Sequence, residues 1–207
     1  MLIPTGQTES DVETACGYSF QSTWERNSGI VCEAAPSRRP SFEMVEREIR
    51  RRCFGVLSTV SRDGSPHSAG VLYGVSSRDK PLTLCVTTNG ESRKARNLAR
   101  DPNVSFTIPL PRRFLRFMPP NCVQFQATEE IIPFEDRDAK QAFSGSLLLR
   151  ETLKLERKHV KRKAIFVKIR PGSVIFTYGL GLSVFELVRN ISGASSRVEV
   201  PPSRLHG

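Results

Sequence analysis

The dipeptide Asp63-Gly64 lies between two segments, residues 54–61 and 67–76, in which apolar and polar side chains alternate. Alternation of period two marks a strand with one buried face, and Asp-Gly supplies the backbone freedom that a tight hairpin turn needs. The pairing predicts two antiparallel strands joined locally. A third alternating segment, residues 82–88, follows the turn Asp79-Lys80-Pro81 and extends the pair into a meander.

The same period returns downstream. Val104, Phe106 and Ile108 alternate with polar or smaller neighbours, and Val123, Phe125 and Ala127 alternate with Gln124, Gln126 and Thr128 in a segment that ends near Ile132-Pro133. Residues 164–170 and 173–178 read as a last pair of strands turning at Pro171-Gly172. Helical periodicity appears at Ser41, a good N-cap, after which Phe42, Val45 and Ile49 share one side and the pairs Glu43–Arg47 and Glu46–Arg50 occupy the other. Residues 135–160 also read as helical. A chain in which strands dominate and helices decorate is expected to be a mainly β, α+β protein. A small closed or split antiparallel β-barrel with peripheral helices suits it, because closure removes exposed sheet edges. Residues 1–40 mix Gly, Ser, Thr, Pro and acids without a sustained period and are expected to form a disordered tail; the folded domain is assigned to residues 41–190 and a C-terminal tail to residues 191–207.

No uninterrupted apolar run is long enough to span a membrane, and the N-terminus lacks the basic-then-apolar build of a secretory signal, so a cytoplasmic location is expected. The five cysteines are scattered and never paired as Cys-x-x-Cys, which argues for free thiols and against a metal site. A net charge of +10 calls for an anionic partner: a nucleic acid, a phosphorylated cofactor or an acidic membrane surface. No zinc-finger, RNA-recognition or basic-zipper signature is present, and the cationic run at residues 158–163 reads as a solvated face, so nucleic acid is the weaker option.

The segment at residues 87–98 is the strongest pointer to chemistry. It places Thr87 and Thr88 at a strand end, a turn at Asn89-Gly90, and Ser92, Arg93, Lys94 and Arg96 at the start of a helix. Ala95, Leu98 and Ala99 face inward in that helix, Arg93, Arg96, Asn97 and Arg100 elsewhere, and Asp101-Pro102 ends it. Cations in a first helical turn oppose the local dipole unless an anion binds there. Free backbone amides, the hydroxyls of Thr88 and Ser92 and two cationic heads form a cradle that a phosphate would satisfy. The other reading is a solvated basic helix face.

This stretch resembles the flavin-binding segment of the pyridoxamine 5′-phosphate oxidase family, in which a Thr-Asn turn followed by Ser-Arg-Lys holds the phosphate of FMN. The segments at residues 54–60, 63–67 and 97–106 follow the family's pattern in the same order, and the resemblance covers residues 45–135. It implies a split barrel in which Thr87, Thr88, Ser92, Arg93 and Lys94 bind the phosphate and the backbone of residues 68–73, including Ser68, Ala69 and Val71, runs beside the ring. It also implies a homodimer with the cofactor between two barrels. The wider superfamily includes FMN reductases and enzymes that use the deazaflavin F420. The expected function is accordingly an FMN- or F420-dependent oxidoreductase that passes hydride to or from a small organic substrate, with a non-catalytic flavin- or haem-binding protein as the alternative.

The chain departs from the oxidase pattern at several positions. Ala69 and Gly74 stand where an Arg and a Lys would grip the phosphate, Cys122 stands where an Arg-Gln pair would end, and Arg204-Leu205-His206 is similar to the oxidase's Arg-x-His element only by coincidence. Phe114 and Phe117, in the Pro-bracketed loop 111–120, are candidates for completing the substrate pocket, and His67 is a candidate neighbour of the ring. His159 and His206 have no evident catalytic partner.

Overall fold

In a computed structural model, the described residues are 39–111, 120–158, 163–189 and 192–205, all within the unit Arg38–Gly207. Phe114, Phe117, His159, His206 and the expected tail up to residue 38 lie outside them, as does most of the cationic run at 158–163.

The chain opens with helix α1 (Phe42–Arg51), where Ser41 Oγ accepts a hydrogen bond from Met44 N as an N-cap should. Strands β1 (Phe54–Val60) and β2 (Pro66–Val75) form the expected hairpin, with Val60 opposite Pro66. Gly64 takes φ +79° at the turn, and Asp63 Oδ1 accepts from Ser65 N at 3.1 Å, which fixes the Asp-Gly geometry. Strand β3 (Leu84–Asn89), helix α2 (Arg93–Leu98), β4 (Asn103–Leu110) and β5 (Asn121–Pro133) follow. Two helices, α3 (Arg137–Ala142) and α4 (Leu147–Lys158), are separated by a 3-10 turn at Phe143–Gly145, so the helical stretch expected at 135–160 is broken. Then come β6 (Ala164–Tyr178), α5 (Val184–Arg189), β7 (Ser195–Glu199) and α6 (Pro202–Leu205).

The strands are ordered β3-β2-β1-β4-β5-β6-β7, and an additional β3–β6 pairing closes β1 to β6 into an antiparallel barrel. Its core is built from the inward residues of every strand, among them Leu57, Tyr73, Val86, Phe106, Phe125 and Ile169. The Phe106 ring meets Tyr73 edge-on at 5.5 Å and Phe125 in a stack at 5.8 Å. A second apolar cluster on the outer side of β3 and β6 joins Cys85 and Phe166 to Phe143 and Leu149 under α3 and α4. Burial pushes the Cys85 thiol up to about 12, so it serves as a small apolar group there.

Two expectations are corrected at the C-terminal end. Pro171-Gly172 does not turn the chain; β6 runs through it as one strand. Phe125 faces Ile175 and Ala127 faces Pro171, so two steps along β5 match four along β6, a bulge that bends the long strand. The proline is tolerated because the ladder is already interrupted there. The second correction concerns residues 191–207, expected as a tail. They supply β7, which pairs with β6 from Val174 to Tyr178, and Val198 and Val200 enter the core. Arg204 then ties the end of the chain to α1: it pairs with the buried Glu46 and donates to the carbonyls of Arg78 and Lys80. Glu46 thus faces inward, rather than lying on a solvent face, because Arg50 and Arg204 both neutralise it.

Gly74 is required by packing. A Cβ there would collide with the Ala142 carbonyl and crowd Phe143 N, where the 3-10 turn lies against β2. Gly74→Ala is expected to lower stability by about 1–3 kcal/mol in chemical denaturation, and a lysine at this position has no room. A second prediction concerns Glu129, whose Oε2 is buried without a partner among the described residues. Burial, with Glu130 beside it, pushes its carboxyl up to about 7. The folded state therefore holds this proton more tightly than the unfolded chain does, and stability is lost as pH rises from the ordinary Glu range through about 7. Glu129→Gln should raise Tm by a few degrees at pH 8 and by little or nothing at pH 5. An equal shift at both pH values would contradict this.

Candidate anion cradle at the open end of the barrel

Two of the cradle residues, Thr88 and Ser92, meet at the end of β3 and the start of α2. Ser92 is the N-cap of α2: its Oγ accepts from Ala95 N at 3.2 Å and lies 3.3 Å from Thr88 Oγ1. The preceding turn is held by Glu91 N donating to Asn89 Oδ1 at 2.9 Å and by Gly90 N donating to Lys163 O at 2.8 Å. Lys163 also pairs with Glu91 across the turn at 3.1 Å.

Helix α2 has only six residues, so its dipole is small and the charged side chains decide the electrostatics. Arg93 in the helix and Arg100 just after it have protein partners at the end of β1. Arg93 Nη2 donates to Ser61 Oγ at 3.1 Å, and Arg100 Nη2 donates to the Val60 carbonyl at 2.8 Å. Lys94 is different. It is half-buried beside this turn, makes no hydrogen bond or ion pair among the described residues, and burial holds its ammonium below the usual lysine range. The charge conflict expected of the whole helix start thus falls mainly on one side chain. A half-buried ammonium two residues along the chain from a pair of adjoining hydroxyls is a donor set of the kind that fits a phosphate.

The other predicted site residues separate into two groups. Thr87 leaves β3 on the opposite face from Thr88, towards Phe166 in the outer apolar cluster, and its Oγ1 is buried with no partner among the described residues. On β2, Ser68 is exposed and its Oγ lies 2.8 Å from Ser58 Oγ, Ala69 is half-buried, and Val71 is buried in the core. Val71 can therefore offer only backbone to a ligand. That backbone is open: β2 pairs with β1 from Pro66 to Leu72 but with β3 only from Tyr73 to Val75, while the remaining residues of β3, Thr87 to Asn89, pair only with β6 along the other edge. The first part of β2 keeps one unpaired edge in the split, next to the hairpin that Arg93 reaches. His67 sits opposite Thr59 on this hairpin, half-buried, with Nδ1 unpartnered among the described residues.

Asn97 escaped the sequence reading, which set it away from the core. It is buried, and its Nδ2 donates to Thr59 Oγ1 at 3.0 Å. Ala99, expected inward, is exposed. The i,i+4 spacing from Arg93, which itself reaches β1, was the available signal.

A separate cavity of about 370 Å³ opens outside the barrel, lined by Lys80, Thr83, Cys85, Asp138, Lys168 and Arg170 among others. Its cations are already neutralised, Lys80 by Asp138, Lys168 by Asp136 and Arg170 by Glu130. Lys94 has no such partner among the described residues.

The sequence profile of the pyridoxamine 5′-phosphate oxidase family matches residues 41–178. No curated protein matches the sequence. Among solved structures, the chain resembles a haem-binding protein from Mycobacterium smegmatis, with 19% identity and a TM-score of 0.56 over 78% of this chain and 59% of that one. It also resembles HutZ, the haem storage protein of Vibrio cholerae, with 17% identity and a TM-score of 0.52 over 68% of this chain and 96% of that one. A third similar structure, ChuZ from Campylobacter jejuni, has 14% identity and a TM-score of 0.54 over 81% of this chain and 64% of that one. At these identities the likeness is one of fold, and the chain spans less than two thirds of the mycobacterial and Campylobacter proteins. Profile, closed barrel and Ser-Arg-Lys turn agree, and the chain belongs to the pyridoxamine 5′-phosphate oxidase family.

Proposed function

We propose that this protein binds a phosphorylated flavin, FMN or the deazaflavin F420, and acts as an oxidoreductase on a small organic substrate. The observation that carries the reading is Lys94, a half-buried cation without a partner among the described residues, two residues after Ser92, whose hydroxyl meets that of Thr88. When bound, such a cofactor supplies hydride transfer. The chain's own residues hold the phosphate through Lys94, Thr88 and Ser92, with Arg93 free to add further donors, while the open edge of β2 offers backbone groups to the ring. Absence of the β2 lysine from the oxidase pattern follows from the packing of Gly74 against Ala142.

We further propose a homodimer. The outward row Gly70, Val56, Thr107, Gln124 and Phe176 runs across β2, β1, β4, β5 and β6, with Phe54 and Val60 exposed beside it on β1. Small and apolar groups along a flat strand face suit self-association. Sedimentation velocity should give twice the chain mass, and Val56→Glu should give a monomer; a monomeric wild-type protein would remove this part of the proposal.

Haem binding is the second reading. It is favoured by the haem-related structures of similar fold and by His67, whose Nδ1 has no partner among the described residues and belongs to a side chain that can ligate iron. The two readings separate in one experiment, in which FMN, F420 and haemin are each titrated into ligand-stripped protein and into Lys94→Met. The flavin reading expects tight binding of FMN or F420 by the wild type and a loss of about 10–100-fold in the variant, the weight of a charge-assisted hydrogen bond. It also expects an unchanged or higher Tm for unliganded Lys94→Met, because an unpartnered half-buried charge is removed. Unchanged FMN and F420 affinity in the variant would refute the cradle, and a haemin Soret band lost in His67→Ala would favour the second reading.

A further inference from the structure

Three polar contacts fasten α2 to the end of β1, and they differ in kind. Arg93–Ser61 and Arg100–Val60 use long side chains exposed to solvent, and the first competes with any anion that draws Arg93 into the cradle. The third, Asn97 Nδ2 to Thr59 Oγ1 at 3.0 Å, is buried on both sides, and Thr59 Oγ1 in turn donates to the His67 carbonyl at 3.3 Å. A Leu–Val contact at the same place would supply burial at little cost in stability, since apolar replacement of both partners of a buried hydrogen bond is often nearly neutral. The polar pair adds direction: it fixes both the rotation of α2 and its height along β1. Lys94 and Ser92 lie three and five residues before Asn97 on the same short helix, so any slip of the helix moves both.

We propose that Asn97 and Thr59 are positioning residues, which hold α2 so that Lys94, Ser92 and Thr88 converge on the phosphate of the cofactor. The inference rests on the flavin or deazaflavin reading above. It explains why a small β-barrel keeps the buried polar pair Asn97 and Thr59 at this end although Ala95 and Leu98 already supply the apolar contact. The effect on the cofactor is indirect, through Lys94 and the two hydroxyls.

The test compares each cofactor with its phosphate-free form: FMN with riboflavin, and F420 with the corresponding deazaflavin riboside. Wild-type protein should prefer the phosphorylated member of one pair. Thr59→Val, nearly isosteric, should lower affinity for that member about tenfold, the weight of one buried hydrogen bond. Affinity for the phosphate-free member should stay unchanged. Thr59→Ser should keep the preference. Asn97→Ala, which leaves the strand intact, should lose it. In a Lys94→Met background Thr59→Val should cost less affinity for the phosphorylated member than it does in the wild type, because only the two hydroxyls are then left to misplace; an equal cost overturns the proposal. Equal losses for both members would make Thr59 merely structural, and no loss for either would make it dispensable; each overturns the proposal. A wild-type protein that does not distinguish the members of either pair would instead refute the cradle, and the positioning role with it.

Discussion

The parting of β3 from β2 governs this structure. For three residues, Leu84 to Val86, β3 pairs with β2, while along its other edge it pairs with β6 over its whole length, from Leu84 opposite Ile169 to Asn89 opposite Ala164. This short pairing with β2 beside a longer one with β6 has three consequences. It closes the barrel, so no long edge is left exposed between β3 and β6. It leaves the first part of β2 with an open backbone edge. It also delivers the end of β3, with Thr88 and the turn into α2, to the mouth of the barrel beside the β1–β2 hairpin. The long β6 strand makes this geometry possible by bending at the bulge near Pro171, so that one half pairs with β3 and the other with β7.

Charge at the barrel mouth is distributed unevenly. Arg93 and Arg100 fasten α2 to β1, Lys163 answers Glu91, and only Lys94 is both partly desolvated and unpaired among the described residues. In the cavity on the far side of β3, by contrast, Lys80, Lys168 and Arg170 each meet an acid. A net charge of +10 therefore says less about function than the placement of one ammonium group does. At the other end of the barrel Arg204 serves architecture, holding α1 and the β2–β3 loop together through Glu46 and two carbonyls.

Much of the fold was legible because it is local. The Asp63-Gly64 turn, the Ser41 cap, the helix start near Ser92 and the alternation in β1, β2, β4 and β5 each follow from neighbouring residues, and each appears in the structure. What failed was non-local. Pro171-Gly172 has the composition of a turn, and only the register against β5 shows that it occupies a bulge. β7 has few residues and a weak pattern, and it exists because β6 offers an edge. In the site, the cluster of Thr88, Ser92, Arg93 and Lys94 could be read from contiguity. The buried partnership of Asn97 with Thr59 joins positions 38 residues apart and could not. The loss of a lysine at position 74 was visible in the sequence, but its reason, the Ala142 carbonyl pressed against the strand, was not.

Membership of the pyridoxamine 5′-phosphate oxidase family fixes the scaffold, and proteins of similar fold include ones described as binding or storing haem. The central claim is thus about where a phosphate goes. The most direct measurement is a crystal structure of the protein with FMN or F420 bound. The account predicts phosphate oxygens within hydrogen-bond distance of Lys94 Nζ, Thr88 Oγ1 and Ser92 Oγ. Phosphate density held elsewhere, for instance against Lys168 in the outer cavity, with Lys94 left unpaired, would contradict it.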